Sequence, residues 1–370
     1  MFYLLLPVFL IVGALVGLYT WFLVRRLKRF YIPQPRPWFR WVQLALAVVI
    51  GVCAVDLFWS GSIVILHILF FSGILDLLTL ALRPLARRVC GEKVRLWLHR
   101  IYGCGLVPVV LAAGLLAYGW FNMRGVVAVE HTVTTDHVTE PLTLVFLSDT
   151  HYGTIQDPAI LAEKAAEISA MHPSAVILGG DIVEDGTSAE EMREAFRLLG
   201  GIESDYGVFY VYGNHDKQNY SSNRAYTHQE LEQAAESAGV RILCDETVAI
   251  GDAVLVGRND LSAPGRASLD TLLNGYGTDR FIVVADHQPN DTSELGAAGV
   301  DLQLSGHTHG AQIWPATLFF RLTGRLCSGE YDVDGCEVIV SNGFAGWGYP
   351  IRTAGHSQYE IVHIERTPQN

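Results

Sequence analysis

Four apolar runs dominate the first third of this 370-residue chain: residues 2–24, 41–59, 63–82 and 101–121. Each is close to the ~20 residues that a helix needs to cross the hydrocarbon of a bilayer. The spacing predicts four transmembrane helices within residues 1–124. The first run has no basic stretch ahead of it and no small-x-small site before Arg25-Arg26, which argues against a cleaved signal peptide.

Charge divides the chain at the same place. Residues 1–124 carry 13 Lys and Arg against three acids, Asp56, Asp76 and Glu92, a net of +10. Residues 125–370 carry 13 bases and 35 acids, a net of −22. Six bases lie in RRLKRFYIPQPRPWFR, between runs one and two, and six in RPLARRVCGEKVRLWLHR, between runs three and four. Loops rich in Lys and Arg stay cytoplasmic. The N-terminus and everything after residue 121 are therefore expected outside, as an integral protein of the cell (inner) membrane. Of the cysteines, Cys327 and Cys336 flank a hairpin expected to turn at DVDG. That turn would pair Tyr331 with Cys336 and leave Cys327 too distant for a disulfide.

After a strand-like linker, residues 125–141, a pattern repeats. LTLVFL ends in Ser148-Asp149-Thr150-His151, SAVILGG in Asp181, and GVFYVYG in Asn214-His215-Asp216. RFIVVA ends in Asp286-His287, and VDLQLSG in His307-Thr308-His309. Short runs rich in Val, Ile, Leu and Tyr read as buried strands. Helices are expected between several of them: one capped by Asp157 with Pro158 at its first position, one capped at Thr187 or Ser188, and one opening with a Thr227–Glu230 capping box. Alternating strands and helices predict a layered α/β domain, in which ligands bind beyond the carboxyl ends of strands. Every polar cluster sits at such an end.

Asp149, His151, Asp181, Asn214, His287, His307 and His309 all offer oxygen or nitrogen, and none is a cysteine. Imidazole with carboxylate suits Zn, Fe or Mn. Seven donors exceed one tetrahedral site and suit two metals sharing a bridging carboxylate, an arrangement that clamps both oxygens of an in-line displacement.

SDTHYG, GGD, YGNHD, DHQP and GHTHGAQ, in that order, resemble the signature of the calcineurin-like metallophosphoesterases, and among them the membrane-anchored bacterial branch. The likeness runs from about residue 142 to 365 and includes SNGFAGWGYPIR, similar to that family's closing active-site loop. One departure is Gln312 after GHTHGA, where a second glycine is often seen. The resemblance implies a two-sheet αββα sandwich over residues 125–370, after a four-helix transmembrane region over 1–124. It implies one metal on Asp149, His151, Asp181 and His309 and another on Asp181, Asn214, His287 and His307. It also implies that His215 donates to the phosphate or the leaving group, oriented by Asp216. The activity implied is hydrolysis of a phosphodiester or pyrophosphate by hydroxide held between two divalent ions (Mn, Zn or Fe); membrane anchoring, the outward topology and the apolar segment 314–320 add the expectation of a lipid-linked substrate.

Membrane lipids are the other expected partner, nucleic acid is not, and the oligomeric state is left open. Two readings compete: a transmembrane sensor or scaffold that binds metal or phosphate without turnover, and a phosphatase of soluble nucleotides or phosphoproteins. Asp56 and His67 flank the link between runs two and three and are placed to pair; Asp76 lies deeper. Such residues are either functional or interhelical glue. Trp314, Leu318, Phe319 and Phe320 follow the last histidines. The simpler reading makes them domain core, and the functional one makes them an apolar lip that meets lipid.

Overall fold

The computed structural model describes residues 2–32, 36–56, 60–277, 279–289, 292 and 294–368, without the side chains of residues 2–9 and 60. The chain forms two compact units, Met1–Tyr118 and Gly119–Asn370.

In the first unit, α1 spans Phe2–Tyr31, α2 Phe39–Cys53, α3 Ser60–Val89 and α4 Glu92–Cys104; α5, Leu106–Arg124, follows. Three helices are long and apolar enough to cross a membrane, at Leu10–Tyr31, Gly61–Val89 and Leu106–Arg124. The second run is shorter than expected. Its 15-residue helix is about 22 Å long, against ~30 Å of hydrocarbon. The end of that run, residues 57–59, lies outside the described residues. The basic segment after run three is mostly helical, in α3 and α4. The fourth run is broken at Gly105, whose φ of +71° caps α4, so the last span starts at Leu106.

Small residues let α1 and α2 approach closely: a Cβ on Gly51 would stand 2.7 Å from the Gly13 carbonyl oxygen. His67 does not pair with Asp56. Its Nδ1 lies 2.7 Å from the Ile63 carbonyl oxygen on its own helix. Asp76 is ion-paired with Arg26 and accepts hydrogen bonds from Tyr102 and, at 2.9 Å, from Tyr19, tying α1, α3 and α4 together.

The second unit contains twelve strands among the described residues. The first ones are β1 Val127–Thr135, β2 Leu142–Leu147, β3 Ala175–Leu178, β4 Val208–Tyr210, β5 Val240–Ile242 and β6 Glu246–Ile250. They are followed by β7 Ala253–Gly257, β8 Phe281–Ala285, β9 Leu302–Ser305, β10 Gly329–Val333, β11 Cys336–Val340 and β12 Gln358–Arg366. One sheet runs β1-β12-β2-β3-β4-β5 and the other β10-β11-β9-β8-β7-β6. Helices α6 Pro158–Ala170, α7 Ala189–Gly200 and α8 His228–Ser237 follow β2, β3 and β4; α9 is Leu269–Leu272 and α10 Thr317–Thr323.

Period-two alternation decides which side chain enters which layer. Leu144 and Phe146 of β2 meet Phe281, Val283 and Ala285 of β8 in a core between the sheets. Val145 and Leu147 face the other way, against Ile168, Phe196 and Leu231 of the helices. Ile282 and Val284 join Leu269 and Val338 on the far side of the second sheet. Strands buried on both faces need apolar residues at every position, which is why these runs are continuous. The result is an αββα sandwich.

The β10–β11 hairpin corrects the expected register. Asp334 and Gly335, at φ +53° and +87°, make a two-residue turn of the kind favoured by Asp-Gly, so Val333 and not Tyr331 pairs with Cys336. The helix starts follow their caps. Ser188 and Glu191 form a reciprocal capping box on α7, with bonds of 3.2 and 2.8 Å. Ser188→Ala is expected to destabilise the second unit by about 1 kcal/mol, read as a lowered midpoint in its thermal unfolding.

Candidate metal centre

Strands β2, β3 and β4 run parallel in one sheet, and β7, β8 and β9 in the other. The polar clusters follow β2, β3, β4, β8 and β9, each at the carboxyl end. Backbone bonds lace these ends together: Asp149 N–H donates to the Gly180 carbonyl (2.9 Å), His151 N–H to that of Asp181 (3.1 Å) and Gly306 N–H to that of His287 (3.0 Å). The turns are sharp. Asp149, His151, Asp181, His307 and His309 all have positive φ, between 41° and 68°. Left-handed non-glycine residues cost of order 1–3 kcal/mol each and cluster where function holds them. Gly180 is required at φ +87°, because a Cβ there would lie 2.6 Å from Gly213 N.

Two donor groups result. Asp149, His151 and His309 form one, and Asp181, His287 and His307 the other; within each, the ligand atoms lie within 4.8 Å of one another. Asp181 Oδ2 sits between the groups, 3.2 Å from His287 Nε2 and 3.9 Å from His151 Nε2. Asn214 is buried, with its Oδ1 3.5 Å from Gln288 Nε2.

The segment GHTHGAQ is not extended. His307 and His309 are left-handed on either side of a right-handed Thr308, and this alternation sends the two rings to different groups. Two imidazoles are hydrogen-bonded from behind, and a third faces a carboxylate. His287 Nδ1 donates to the Gly179 carbonyl (2.8 Å), His309 Nδ1 faces that of Ala345 (3.2 Å), and His151 Nδ1 lies 3.3 Å from Glu184 Oε2. Both ring nitrogens of His151 and Nε2 of His287 are buried with no hydrogen-bond partner among the described residues. Buried nitrogens aimed at carboxylates and otherwise unsatisfied fit a metal well.

Asp216 does not orient His215. Fully buried, its carboxylate accepts from the N–H groups of Gly213 (2.6 Å), Asp181 (2.9 Å) and Val183 (3.2 Å). It therefore shapes the backbone beneath the site. Burial first, and the Asp181 charge second, push it up to about 6. His215 is held by Asp185, whose Oδ2 lies 2.6 Å from Nδ1. Asp185 and Glu184 carry no signal in the sequence because they lie past the strand-end cluster after β3 and read as ordinary loop acids.

SNGFAGWGYPIR closes over the same end. Arg352, fully buried, donates from Nη1 to the His309 carbonyl (2.6 Å) and from Nη2 to those of Asn342 and Ala345 (both 2.8 Å). Gln312 is a clasp. Its Oε1 accepts from Trp347 N–H (2.8 Å) and its Nε2 donates to the Tyr349 and Ile351 carbonyls (both 2.9 Å). The core reading of the residues after it is overturned. No residue of α10 is buried, Trp314, Leu318 and Phe319 are exposed, and Leu322 is 87% exposed.

Burial works against charge on His287, but Asp181 beside it prevails and lifts the imidazole to about 10. That lies above the value near 6.5 of an unfolded histidine. The pair therefore stabilises the metal-free fold fully below about pH 6.5 and fades as pH rises through about 10. Divalent metal must displace that proton. Titrating Mn²⁺ into metal-free protein at pH 8 is expected to release a proton that His287→Gln does not, read by calorimetry in buffers of different ionisation enthalpy.

Residues 142–311 match the calcineurin-like phosphoesterase family. A metallophosphoesterase of Helicobacter pylori (strain J99) is 28% identical over 249 residues, 65% of this chain and 64% of its own length. One from Campylobacter jejuni is 26% identical over 244 residues, 63% of this chain and 62% of its own. A transmembrane protein with metallophosphoesterase domain from Danio rerio is 28% identical over 277 residues, 70% of this chain and 62% of its own. The chain thus spans less than two thirds of the length of each. Matched motifs, two-sheet fold and donor groups agree: the chain carries a calcineurin-like metallophosphoesterase domain behind three helices long and apolar enough to cross a membrane.

Proposed function

We propose that the protein is a membrane-bound dinuclear-metal phosphoesterase that cleaves a phosphodiester or pyrophosphate in a lipid-linked substrate. The observation that carries the hydrolase reading is the pair of donor groups meeting at Asp181, with His215 beside them. His215 N–H donates to Asp181 Oδ1 at 2.9 Å, and its ring lies 5.6 Å from that of His151.

Asp149, His151, Asp181 and His309 would hold one divalent ion and Asp181, Asn214, His287 and His307 the other, with Mn, Zn or Fe suited to the set. When bound, such a pair supplies Lewis acidity and a water of lowered pKa. The protein's part is positional. His215 donates a proton from Nε2 toward the leaving oxygen while Asp185 holds Nδ1, a general-acid arrangement. Arg352 and Gln312 keep the closing loop on the metal-binding loop. Little more is needed, since phosphoryl transfer depends mainly on positioning and charge stabilisation.

Lipid specificity is supported by α10. It leaves the metal-binding loop within a few residues and presents Leu318, Phe319 and Leu322 to the outside, with Arg321 and Arg325 among them. Apolar residues with basic neighbours suit the headgroup boundary of a membrane. The charge pattern of the basic loops supports a cell-membrane location, with the N-terminus and the catalytic domain outside, an arrangement that requires the shorter α2 to make a fourth crossing beside the three long helices.

Full-length protein with Mn²⁺ is expected to hydrolyse bis(p-nitrophenyl) phosphate and to lose that activity on chelation. Asp181→Ala and His215→Ala should each lose at least about 10²-fold. Asp185→Asn should lower kcat by about 10- to 100-fold with metal content retained. Bound metal without turnover would instead mark a sensor. On a substrate panel, lipid-linked phosphates should outrun soluble diesters, and Phe319→Ser should erase that advantage; equal rates would sink the lipid reading.

A further inference from the structure

Two aromatic rings stand beside His215. The Tyr220 ring centroid is 5.1 Å from that of the imidazole and the Trp347 centroid 5.8 Å. They come from different loops, one after β4 and the other after β11. Neither belongs to the core: Tyr220 is 66% exposed and Trp347 37%. Two exposed aromatics packed on one imidazole make a contiguous apolar patch, the kind that lines ligand-binding grooves.

Both residues are anchored at their own backbone N–H. Tyr220 N–H donates to Asp185 Oδ1 at 3.0 Å, and the other oxygen of that carboxylate holds His215. Trp347 N–H donates to Gln312 Oε1 at 2.8 Å, within the clasp on the closing loop. One acid therefore places the imidazole and the backbone of Tyr220 together, and one amide places the backbone of Trp347 against the metal-binding loop. A site prepared this way loses little freedom when a ligand arrives.

We propose that Tyr220 and Trp347 form an aromatic clamp that selects substrates bearing a planar ring on the leaving-group side of the scissile phosphate. The inference rests on the phosphoesterase reading, because the acid at His215 faces the oxygen that departs. A group attached to that oxygen lies next to the imidazole and so next to both rings. A planar group gains offset or edge-to-face stacking beyond its buried area. A saturated ring of the same size gains only burial.

Phenylphosphonate and cyclohexylphosphonate separate these effects, since they share an anion and differ in planarity. The full chain, purified in detergent and loaded with Mn²⁺, is titrated with each by calorimetry. The same phosphonates are then used as inhibitors of bis(p-nitrophenyl) phosphate hydrolysis. Phenylphosphonate is expected to bind about three- to tenfold more tightly. Tyr220→Ala and Trp347→Ala should each abolish that preference, and Trp347→Phe should keep it. Equal affinities in the unsubstituted protein, no binding of either, or a preference surviving in either alanine variant would overturn the clamp. Turnover without ring preference sinks the clamp alone; ring preference without turnover sinks the phosphoesterase reading.

Discussion

Asp181 is the contact on which the second unit turns. Its carboxylate stands between His151 and His287, accepts from the backbone of His215, and sits on a backbone N–H that Asp216 holds. Asp149, Asp181 and Asp216 are all buried within one small volume. Carboxylates cannot be buried without compensation. Backbone amides supply it for Asp216 and the His287 cation for Asp181, and divalent ions would supply more. The strand ends converge because these charges must find their partners in one place.

The convergence of Asp149, His151, Asp181, His287, His307 and His309 was legible because strand and polar cluster alternate along the chain: an apolar run, then Asp or His. The layers were legible for a related reason, since continuous runs such as FIVVA have no polar face to expose. The partners behind the ligands were not. Asp185 reads as a loop acid, and only the turn after Asp181 brings it to His215. The family resemblance implies Asp216 for that role, but its side chain points under the site instead. Arg352 and Gln312 act through backbone carbonyls and amides, which carry no residue-type signal. GHTHGAQ departs from a strand's alternation because its left-handed residues reverse direction.

The apolar runs gave α1, α2, α3 and α5 but neither their limits nor α4, which lies mostly in a basic segment. Hydropathy does not see Gly105, where a left-handed cap ends α4, or the shortness of α2. It marked Asp76 only as costly. The structure supplies the compensation in Arg26, Tyr19 and Tyr102, which fits a polar tie between helices. For α10 the same apolar signal was ambiguous, because core and surface helices can share a composition; exposure separates them.

The positive φ angles carry one more consequence. Asp, Asn and His are the non-glycine residues that enter the left-handed region most readily, and they are also the ligand types present here. Backbone and metal chemistry thus favour the same few side chains at Asp149, His151, Asp181, His307 and His309. Glutamate could offer the same carboxylate at positions 149 or 181, but on a longer arm and from a residue that resists that conformation. The alphabet available to this site is therefore set twice over, once by what the donor atoms must hold and once by how the chain must bend.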